Sequence, residues 1–467
     1  MNNNAAESMN ASDPTPSAVR QYLASQGVES RLVTPREARK FPRVECILLA
    51  DRLGKVALLL PSDRLLDLVA LRQQTGRELV AAELKERQAL LRQHGLQELP
   101  ALDALLGVEV LQDQYLPSEG EVCIQSGARG SLLALPAKSL VKDEATRTVD
   151  VSVAVPEMEL DYELSLFDLD RDAIEDSISR FTAKRIRQRL EETLEIPPLP
   201  HTAQEIIRLR VDPSADISKL SAIVEKDPSL AAQVTSWASS SYYAAPGSVK
   251  SVQDAIVRVL GYDLVMNLSL GLALGKTLSM PPDEPQGVVP YWQEAVYTAA
   301  TVAELHTAMP RDSRPSFGLA YLGGLLSNFG YLVLAHVFKP HFSTCCRLWE
   351  ANPHLDPRVV EDHVLGLNRD QIAASLLNSW NLPGEVCLGI RHAAHPDYMG
   401  LHAEYANLIC LAVRMLRRGR MVPGPSVPLE SQLFTGLNIA PDQARAALER
   451  VQEGREALDA LARGMEH

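Results

Sequence analysis

Three histidines in the second half of the chain have the residue type, and part of the spacing, of a metal site. His392 and His395 are three residues apart and would share one face of a helix, and His363 lies on an earlier helical stretch. A protein metal centre needs about three or four ligands, each held by hydrogen-bonded groups behind it. The sequence therefore favours ordinary hydrogen-bonded histidines, and we expect no metal and no other cofactor.

The six cysteines show no C-x-x-C spacing, and Cys345 and Cys346 are adjacent on a predicted helix. Metal sites and redox-active thiol pairs usually need such spacing, whereas isolated cysteines behave as small apolar residues. We interpret these residues as buried, reduced thiols, as expected for a cytoplasmic protein.

The elements that would position these histidines are short amphipathic helices between residues 196 and 395. Asp227 can cap a helix that starts at Pro228, and Ser251 can cap another that Gly261 would end. Apolar residues recur at steps of three and four between residues 216 and 261, without the alternation typical of strands. The pattern predicts an all-helical domain.

Several segments of this region resemble the HDOD domain, an all-helical bacterial signalling relative of the HD-type metal phosphohydrolases. The segments that carry the resemblance are IPPLPHTAQEIIRL, IVEKDPSLAAQVTSWASSSYYAAPGSVKSVQDAIVRVLGYDLVMNLSL and LAYLGGLLSNFGYLVLAH. They occur in the order of the family and cover roughly residues 190 to 395. The resemblance implies a helical fold with a signalling role.

The same resemblance implies that the metal-binding positions of the phosphohydrolases have been replaced. Those enzymes use a histidine, an adjacent His-Asp pair and further histidines and acids to hold one or two metal ions. The corresponding positions here are Glu294, Ser327, Asn328, Asn368, Arg369 and the retained histidine, His392. Arg369 would add a positive charge where a cation is expected. The resemblance therefore predicts a degenerate site that serves as a ligand or partner pocket and has no catalytic residues.

Residues 15 to 145 have a different, α+β pattern. The pattern predicts a helix at 17–26, a β-hairpin of 46–50 and 55–60, helices at 62–75 and 80–93, and strands at 122–124 and 132–135. The fold class predicted for the chain is therefore multidomain, with a mixed sheet and helices followed by an all-α domain.

The order of these elements, with the segments LPSDRLLDLVALRQQTG and SGARGSLLALPAKSL, resembles the YbaK/prolyl-tRNA-synthetase-associated domain. Members of that family hydrolyse mischarged aminoacyl-tRNA. Where the family has an active-site lysine, this chain has Glu45, so the charge at this position is inverted. Cys46 follows it. The other positions assigned to the degenerate editing site are Gly127, Arg129 and Gly130. The resemblance implies an editing scaffold without its activity.

The remaining segments complete a plan of five parts. We predict a disordered tail (1–14), a YbaK-like domain (15–145), an acidic linker (146–185), an HDOD domain (186–395) and a C-terminal helical extension (396–467). Nine acidic residues stand between Glu157 and Asp176, against Arg171 alone. This stretch is either a solvated linker leading into a mixed-charge helix at 179–194, or a docking segment. The last predicted helix, 441–465, either packs on the core or forms a dimer contact.

Composition excludes several classes of protein. The chain has 467 residues, 46% hydrophobic and 22% charged, with a net charge of −13. This acidity makes a nucleic-acid partner unfavourable. No apolar run reaches the roughly 18 residues of a membrane span, and the N-terminal stretch has no secretory signal, so we expect a cytoplasmic protein without membrane contact.

These features together favour a non-catalytic regulatory scaffold of bacterial signal transduction that binds other signalling proteins. The alternatives are an aminoacyl-tRNA deacylase, or a metal-dependent phosphohydrolase with unorthodox ligands. A sensor that binds a small nucleotide without hydrolysing it also stays open, as does a homodimer.

Overall fold

The computed structural model describes residues 14–102, 104–141, 146–155, 166–186, 198–243, 249–278, 281, 283–286 and 289–465. The chain divides into two compact units. Unit 1 comprises residues up to Glu157 together with Arg347–Leu355, and unit 2 comprises Met158–Cys346 and Asp356–His467. The predicted tail up to residue 13, the acidic stretch at 156–165 and the predicted helix beyond residue 186 lie outside the described residues.

Unit 1 contains ten strands and four helices among its described residues before residue 156. The strands are β1 (Arg31–Val33), β2 (Val44–Asp51), β3 (Gly54–Pro61), β4 (Arg64–Leu66), β5 (Val80–Ala81), β6 (Glu109–Asp113), β7 (Glu121–Gln125), β8 (Leu132–Pro136), β9 (Arg147–Val149) and β10 (Ser152–Ala154). The helices are α1 (Ser17–Ser25), α2 (Pro35–Ala38), α3 (Leu68–Thr75) and α4 (Leu84–Gln93).

The main sheet of unit 1 is mixed, with strand order β5-β2-β3-β6-β9. The hairpin of β2 and β3 pairs antiparallel from Val44 opposite Pro61 to Asp51 opposite Gly54. Strands β3, β6 and β9 run parallel. A three-stranded antiparallel sheet, β1-β8-β7, and the pair β10-β4 complete the unit. The predicted combination of a mixed sheet with helices is confirmed.

Two helices predicted in unit 1 begin later than expected. Arg64–Leu66 pairs with Ser152–Ala154 as a strand, and the helix starts only after Asp67, whose carboxylate accepts hydrogen bonds from the first helical amides. Val80 and Ala81 likewise pair with β2 before α4 begins at Leu84. In both places a neighbouring strand satisfies the backbone, an interaction that local periodicity does not report. The strands β9 and β10 also fall in the stretch predicted to be linker.

Unit 1 is completed by residues far along the chain. Asn352, 2% exposed, accepts a hydrogen bond from the Leu66 amide at 2.7 Å and donates one to the Leu66 carbonyl at 3.2 Å. The side-chain amide of Asn352 therefore bonds both the N–H and the C=O group of a strand residue, as a neighbouring strand would.

All the regular secondary-structure elements in the described residues of unit 2 are helices. Its helices, with the last turn of α14 counted in unit 1, are α5 (Leu166–Ile186), α6 (His201–Arg210), α7 (Ile217–Glu225), α8 (Pro228–Ser239), α9 (Val252–Ala255), α10 (Tyr262–Gly275), α11 (Tyr291–Ala308), α12 (Phe317–Leu326), α13 (Phe329–Val337), α14 (Lys339–Ala351), α15 (Pro357–Leu365), α16 (Arg369–Ser379), α17 (Gly384–Arg391), α18 (Ala403–Arg418), α19 (Ser431–Leu437), α20 (Pro441–Glu453) and α21 (Arg455–Arg463). The helix α5 begins 13 residues before the predicted start at residue 179, inside the expected linker.

The predicted helix boundaries around α8 and α9 are confirmed. The Asp227 carboxylate accepts hydrogen bonds from the first amides of α8, with Pro228 at the first helical position. The Ser251 hydroxyl accepts from the Asp254 amide at the start of α9, and the helical run ends at Gly261, whose φ is 81°. Capping residues with short polar side chains made these ends readable from sequence.

Helices α12 and α13 together form an apolar stretch that the sequence reading underestimated. Phe317–Val337 is 21 residues long with a mean hydropathy of 1.4, which by length and composition could cross a membrane. In the structure 94% of this stretch is buried inside the protein. The stretch is therefore as buried as a pair of core helices. The helix is interrupted at Ser327 and Asn328.

The C-terminal extension packs against α11. A single helix was predicted over 441–465, but Gly454 divides it into α20 and α21. Arg450 pairs with Glu304 of α11 at 2.6 Å, and Asp459 accepts hydrogen bonds from Gln293 and Tyr297. Of the two roles left open, packing on the helical core is the one seen here.

Candidate functional site

Asn328 lies at the turn between α12 and α13, where the resemblance places the His-Asp pair. Ser327, next to it, donates its hydroxyl to the Gly324 carbonyl at 2.8 Å and so closes the end of α12. The Asn328 amide nitrogen donates to Glu294 of α11 at 3.0 Å, and Asn328 is 8% exposed. The turn thus brings two of the predicted positions, Asn328 and Glu294, into direct contact.

Arg369, the first residue of α16, extends this contact. Its Nη1 donates to the Asn328 Oδ1 at 2.8 Å, and its Nε donates to Glu361 Oε1 at 2.6 Å. The backbone amide of Arg369 donates to the other Glu361 oxygen at 2.8 Å. Glu361, on α15, is fully buried. The chain Glu294–Asn328–Arg369–Glu361 therefore links four helical segments, and we call it the Arg369 network.

The charge states of the Arg369 network follow from its burial. Burial raises the pKa of Glu294, which favours its neutral form beside the Asn328 amide. Burial by itself would lower the pKa of Arg369, but the adjacent Glu361 outweighs it and the pKa is raised. The guanidinium is thus charged, and the Nε, Nη2 and backbone N–H groups of Arg369 converge on the Glu361 carboxylate.

A second cluster of ion pairs lies around Arg358. This side chain bonds Asp370 at 2.5 and 3.0 Å and Asp356 at 3.0 Å, and Arg417 bonds Asp356 at 2.6 Å. Burial alone would raise the pKa of Asp356, but Arg417 and Arg358 hold it below its usual range. With the Arg369 pair, the three arginines named here face three carboxylates, so the charges balance.

Asn368 serves as a helix cap. Its Oδ1 accepts hydrogen bonds from the amides of Asp370 and Gln371 at 3.1 and 3.2 Å, and the Gln371 side chain bonds back to the Asn368 amide at 2.9 Å. Its Nδ2 donates to Asp362 at 3.2 Å. A side chain whose oxygen and nitrogen are both engaged in this way stabilises the start of α16.

The retained histidine, His392, packs against Tyr398. Its ring is 2% exposed and stacks on Tyr398 with centroids 4.0 Å apart. Burial lowers the pKa of His392 to about 3 and that of His395 to about 4, so both rings are neutral at physiological pH. The two rings lie 6.1 Å apart, and His363 is exposed on α15. The three histidines are not assembled into one site.

Among the described residues, no group of three or more His, Cys, Asp or Glu side chains is placed to hold a metal ion. Asn328, a position assigned by resemblance, and Glu361 of α15 both accept hydrogen bonds from the Arg369 guanidinium. Sequence reasoning missed Glu361. The available signal was its place beside Val360 and ahead of Leu365, on a face of α15 that is otherwise apolar.

The positions assigned to an editing site lie in unit 1. Glu45 of β2 pairs with Arg43 at 2.7 Å, and its side chain is only 13% exposed. Burial raises the pKa of Glu45. With the Gln125 amide oriented to satisfy both its groups, it bonds Arg43 at 2.6 Å and Glu98 at 2.8 Å. Glu45, Arg43, Gln125 and Glu98 therefore form an internally paired polar cluster.

Cys46 and the loop after β7 hold the remaining positions assigned to the editing site. Cys46 is 8% exposed, and burial raises the pKa of its thiol to about 12, which makes it unreactive. Gly127 has a φ of 88°, and a side chain there would lie 2.8 Å from Leu96, so the loop requires glycine. The Arg129 amide donates to Gln97 at 3.0 Å, and Arg129 and Gly130 are exposed. All six cysteines are buried, as predicted.

Two comparisons with known proteins give limited matches. A protein of Treponema pallidum (strain Nichols) without an assigned function is 25% identical over 215 residues, which is 46% of this chain and 40% of that protein. An HDOD domain protein of unknown function from Geobacter sulfurreducens has a crystal structure 19% identical in sequence, with a TM-score of 0.50. It covers 62% of this chain and 99% of its own, and it supports the fold alone.

Two further comparisons identify the family. The model of the HDOD domain matches residues 196–396. The crystal structure of a candidate signal transduction protein from Marinobacter aquaeolei VT8 has a TM-score of 0.85 and 41% identity, and covers 97% of this chain and 100% of its own. The match therefore includes both units. The chain belongs to the family of HDOD-domain proteins.

Proposed function

We propose that this HDOD protein is a non-catalytic regulator of bacterial signal transduction, acting by binding other signalling proteins. The HDOD match and the similarity to a candidate signal transduction protein support a regulatory role. The finer claim, that the domain has no hydrolase activity, rests on the chemistry of the Arg369 network.

The Arg369 guanidinium is the observation that carries this proposal. Metal-dependent hydrolysis needs oxygen and nitrogen ligands directed at a common point where a cation can sit. Here Asn328 and Glu361 are directed at a guanidinium, which is itself a permanent cation at any physiological pH. A second positive charge beside it would be repelled, while removal of Arg369 would leave Glu361 buried without a counter-charge. The network therefore acts as a fixed structural replacement for a metal centre.

For unit 1 we propose a YbaK-like editing scaffold that has lost its deacylase activity. Glu45 is paired with Arg43, and the Cys46 thiol is buried, so neither offers a nucleophile or a positive group to a substrate. This unit would then contribute a binding surface. We further propose that the protein works in the cytoplasm, without contact to membranes or nucleic acids.

Metal analysis of the purified full chain tests the proposal directly. After dialysis against metal-free buffer without chelator, we expect fewer than about 0.1 transition-metal ions per chain, since no ligand set among the described residues is open to them. One or two equivalents of iron, manganese or zinc would overturn the proposal and return attention to His363, His392 and His395.

A turnover assay provides the second test. We expect no hydrolysis of phosphodiester substrates, including cyclic dinucleotides, with added Mn²⁺ or Mg²⁺, and no hydrolysis of mischarged aminoacyl-tRNA. Turnover of a phosphodiester that disappears in Asn328→Ala would show that the site is catalytic. A deacylase activity that disappears in Glu45→Ala would do the same for unit 1.

A further inference from the structure

The acidic helix α5 contacts the rest of unit 2 through a narrow face. Among its described side chains only Asp170, Ile174 and Ser177 are buried, spaced four and three residues apart along one side of the helix. Leu169 is 55% exposed. Ile174 is the one large aliphatic side chain buried among those described, and Asp170 and Ser177 make polar contacts on the same face.

Asp170 provides the strongest of these contacts. Its two oxygens accept from Arg391 Nε at 2.5 Å and Nη2 at 3.0 Å, which is the paired geometry preferred by a guanidinium and a carboxylate. The side-chain amide of Gln371 donates to the same carboxylate at 2.9 Å. Asp170 is 2% exposed and the Arg391 side chain 11%. Arg391 and Gln371 thus form a nearly closed carboxylate-binding pocket.

This pocket adjoins the degenerate site. Gln371 is the residue that closes the capping box with Asn368, and Arg391 directly precedes His392. One turn beyond Ile174, the Ser177 hydroxyl donates to the Leu365 carbonyl at the end of α15 at 2.6 Å. Helix α5 therefore lies across the ends of α15, α16 and α17, beside three of the positions assigned to the degenerate site.

We propose that α5 is an internal competitor for this surface, which accepts an acidic helix of a partner protein when α5 is displaced. The surface specifies its occupant by its chemistry. It binds a helix that carries a carboxylate, an aliphatic side chain four residues later and a small hydroxyl three residues after that. Docking of α5 would depend on this buried ion pair, because loss of Asp170 removes the only carboxylate that Arg391 bonds among the described residues. This inference deepens the proposed function. It relies on that function only for the claim that replacing α5 by a partner helix is regulatory.

Exchanging the charges of Asp170 and Arg391 in the full chain tests whether this ion pair holds α5. In Asp170→Arg and in Arg391→Asp we expect the backbone amides of residues 166–180 to exchange hydrogen at least about tenfold faster than in the wild type. The double variant Asp170→Arg/Arg391→Asp restores an opposite-charge pair and should recover most of the protection. Unchanged protection in both single variants would show that Asp170 does not hold α5, and would overturn the proposal.

A labelled peptide tests the surface itself. The probe is the fluorescein-labelled segment 166–180 of this chain, LFDLDRDAIEDSISR. We expect Asp170→Arg protein to bind it at least about tenfold more tightly than wild-type protein, whose own α5 occupies the surface. The same peptide with Asp170→Asn should bind the opened protein weakly. Equal affinity of both proteins, or of both peptides, would overturn the proposal.

These outcomes are independent of the test of the proposed function. Peptide binding requires neither metal nor turnover, so its failure would leave the non-catalytic assignment standing. Metal found in the purified protein would likewise leave competition by α5 intact.

Discussion

A buried guanidinium held between a carboxylate and an amide is stable only while each partner keeps its place. Arg369 is 9% exposed, Glu361 fully buried, and Asn328 bonds both Arg369 and Glu294. Substituting one partner of a buried charge pair is costly because the other keeps its charge without compensation. At the scale of single residues, the degenerate site is therefore expected to govern the stability of unit 2.

Substitution Arg369→Met should lower the free energy of unfolding by about 3–5 kcal/mol, because Glu361 then stays buried without its cation. The double variant Glu361→Leu/Arg369→Met should recover much of this loss, since neither charge remains. Recovery would be incomplete because the backbone amide of residue 369 loses its Glu361 acceptor. Urea denaturation measures both, with Arg418→Met on an exposed position of α18 as control. Equal stability of Arg369→Met and wild type would contradict the structural role.

Asp362 makes stability depend on pH. Burial, with help from neighbouring Glu361, raises the pKa of Asp362 to about 7. The folded state therefore keeps a proton that the unfolded state releases near pH 4, so this group lowers stability progressively from about pH 4 to 7. Asp362→Asn should remove that loss and be more stable than wild type by about 1–3 kcal/mol at pH 8, but not at pH 4.

The measurement is urea denaturation of both proteins at pH 4 and pH 8. Asp442→Asn, at a side chain 88% exposed, is the matched control and should show little pH-dependent difference from wild type. A gain for Asp362→Asn that is the same at both pH values would contradict the assigned pKa.

At the scale of elements, the site depends on how closely α13 approaches α16. A side chain added at Gly330 of α13 would place its Cβ 1.9 Å from the Arg369 carbonyl oxygen. Real Cβ atoms do not come so close to backbone, so glycine is required for the two helices to pack at this distance. This close packing brings Arg369 within reach of Asn328 at the neighbouring turn.

Gly330→Ala should destabilise unit 2 by about 1–3 kcal/mol or more, because the helices must move apart at a packed contact. Gly436→Ala in α19 is a matched control. There the added Cβ would lie 3.7 Å from Asn407, and alanine should be neutral or stabilise by about 0.5–1 kcal/mol. Thermal unfolding of the two variants measures the difference. Similar midpoints for both would contradict the close contact.

At the scale of the whole molecule, unit 1 is assembled from segments remote in sequence. Asn352 and Leu66 are 286 positions apart, yet Asn352 bonds both backbone groups of Leu66. Because a buried backbone group without a partner is costly, the strand β4 depends on a residue that no local sequence pattern connects with it.

Asn352→Ala should speed hydrogen exchange of the β4 amides, since the Leu66 amide loses its acceptor, and should cost unit 1 about 1–3 kcal/mol. Hydrogen exchange followed by mass spectrometry resolves this locally, where whole-chain unfolding of two units would not. Asn378→Ala, at an exposed position of α16, is the control. Unchanged exchange at residues 64–66 would contradict the assigned role of Asn352.

From the sequence alone we could predict the helical character of unit 2, the helix starts at Asp227 and Ser251, the β2–β3 hairpin and the HDOD assignment. These depend on periodicity, capping residues and local motifs, whose physical basis lies within a few residues of chain. The sequence also indicated Asn328 and Arg369 as positions at which the resemblance leads us to expect metal ligands.

What Asn328 and Arg369 contact depends on the tertiary structure. The Arg369 network joins residues from four helical segments, and Glu361 acquires its role only because α15 ends beside α16. Strand β4 likewise forms where Ser152–Ala154 and Asn352 meet residues that read locally as helix. Long-range pairing and packing override the local preference for helix or strand. The free energy of a buried charge or backbone group depends on partners that can lie hundreds of residues away along the chain.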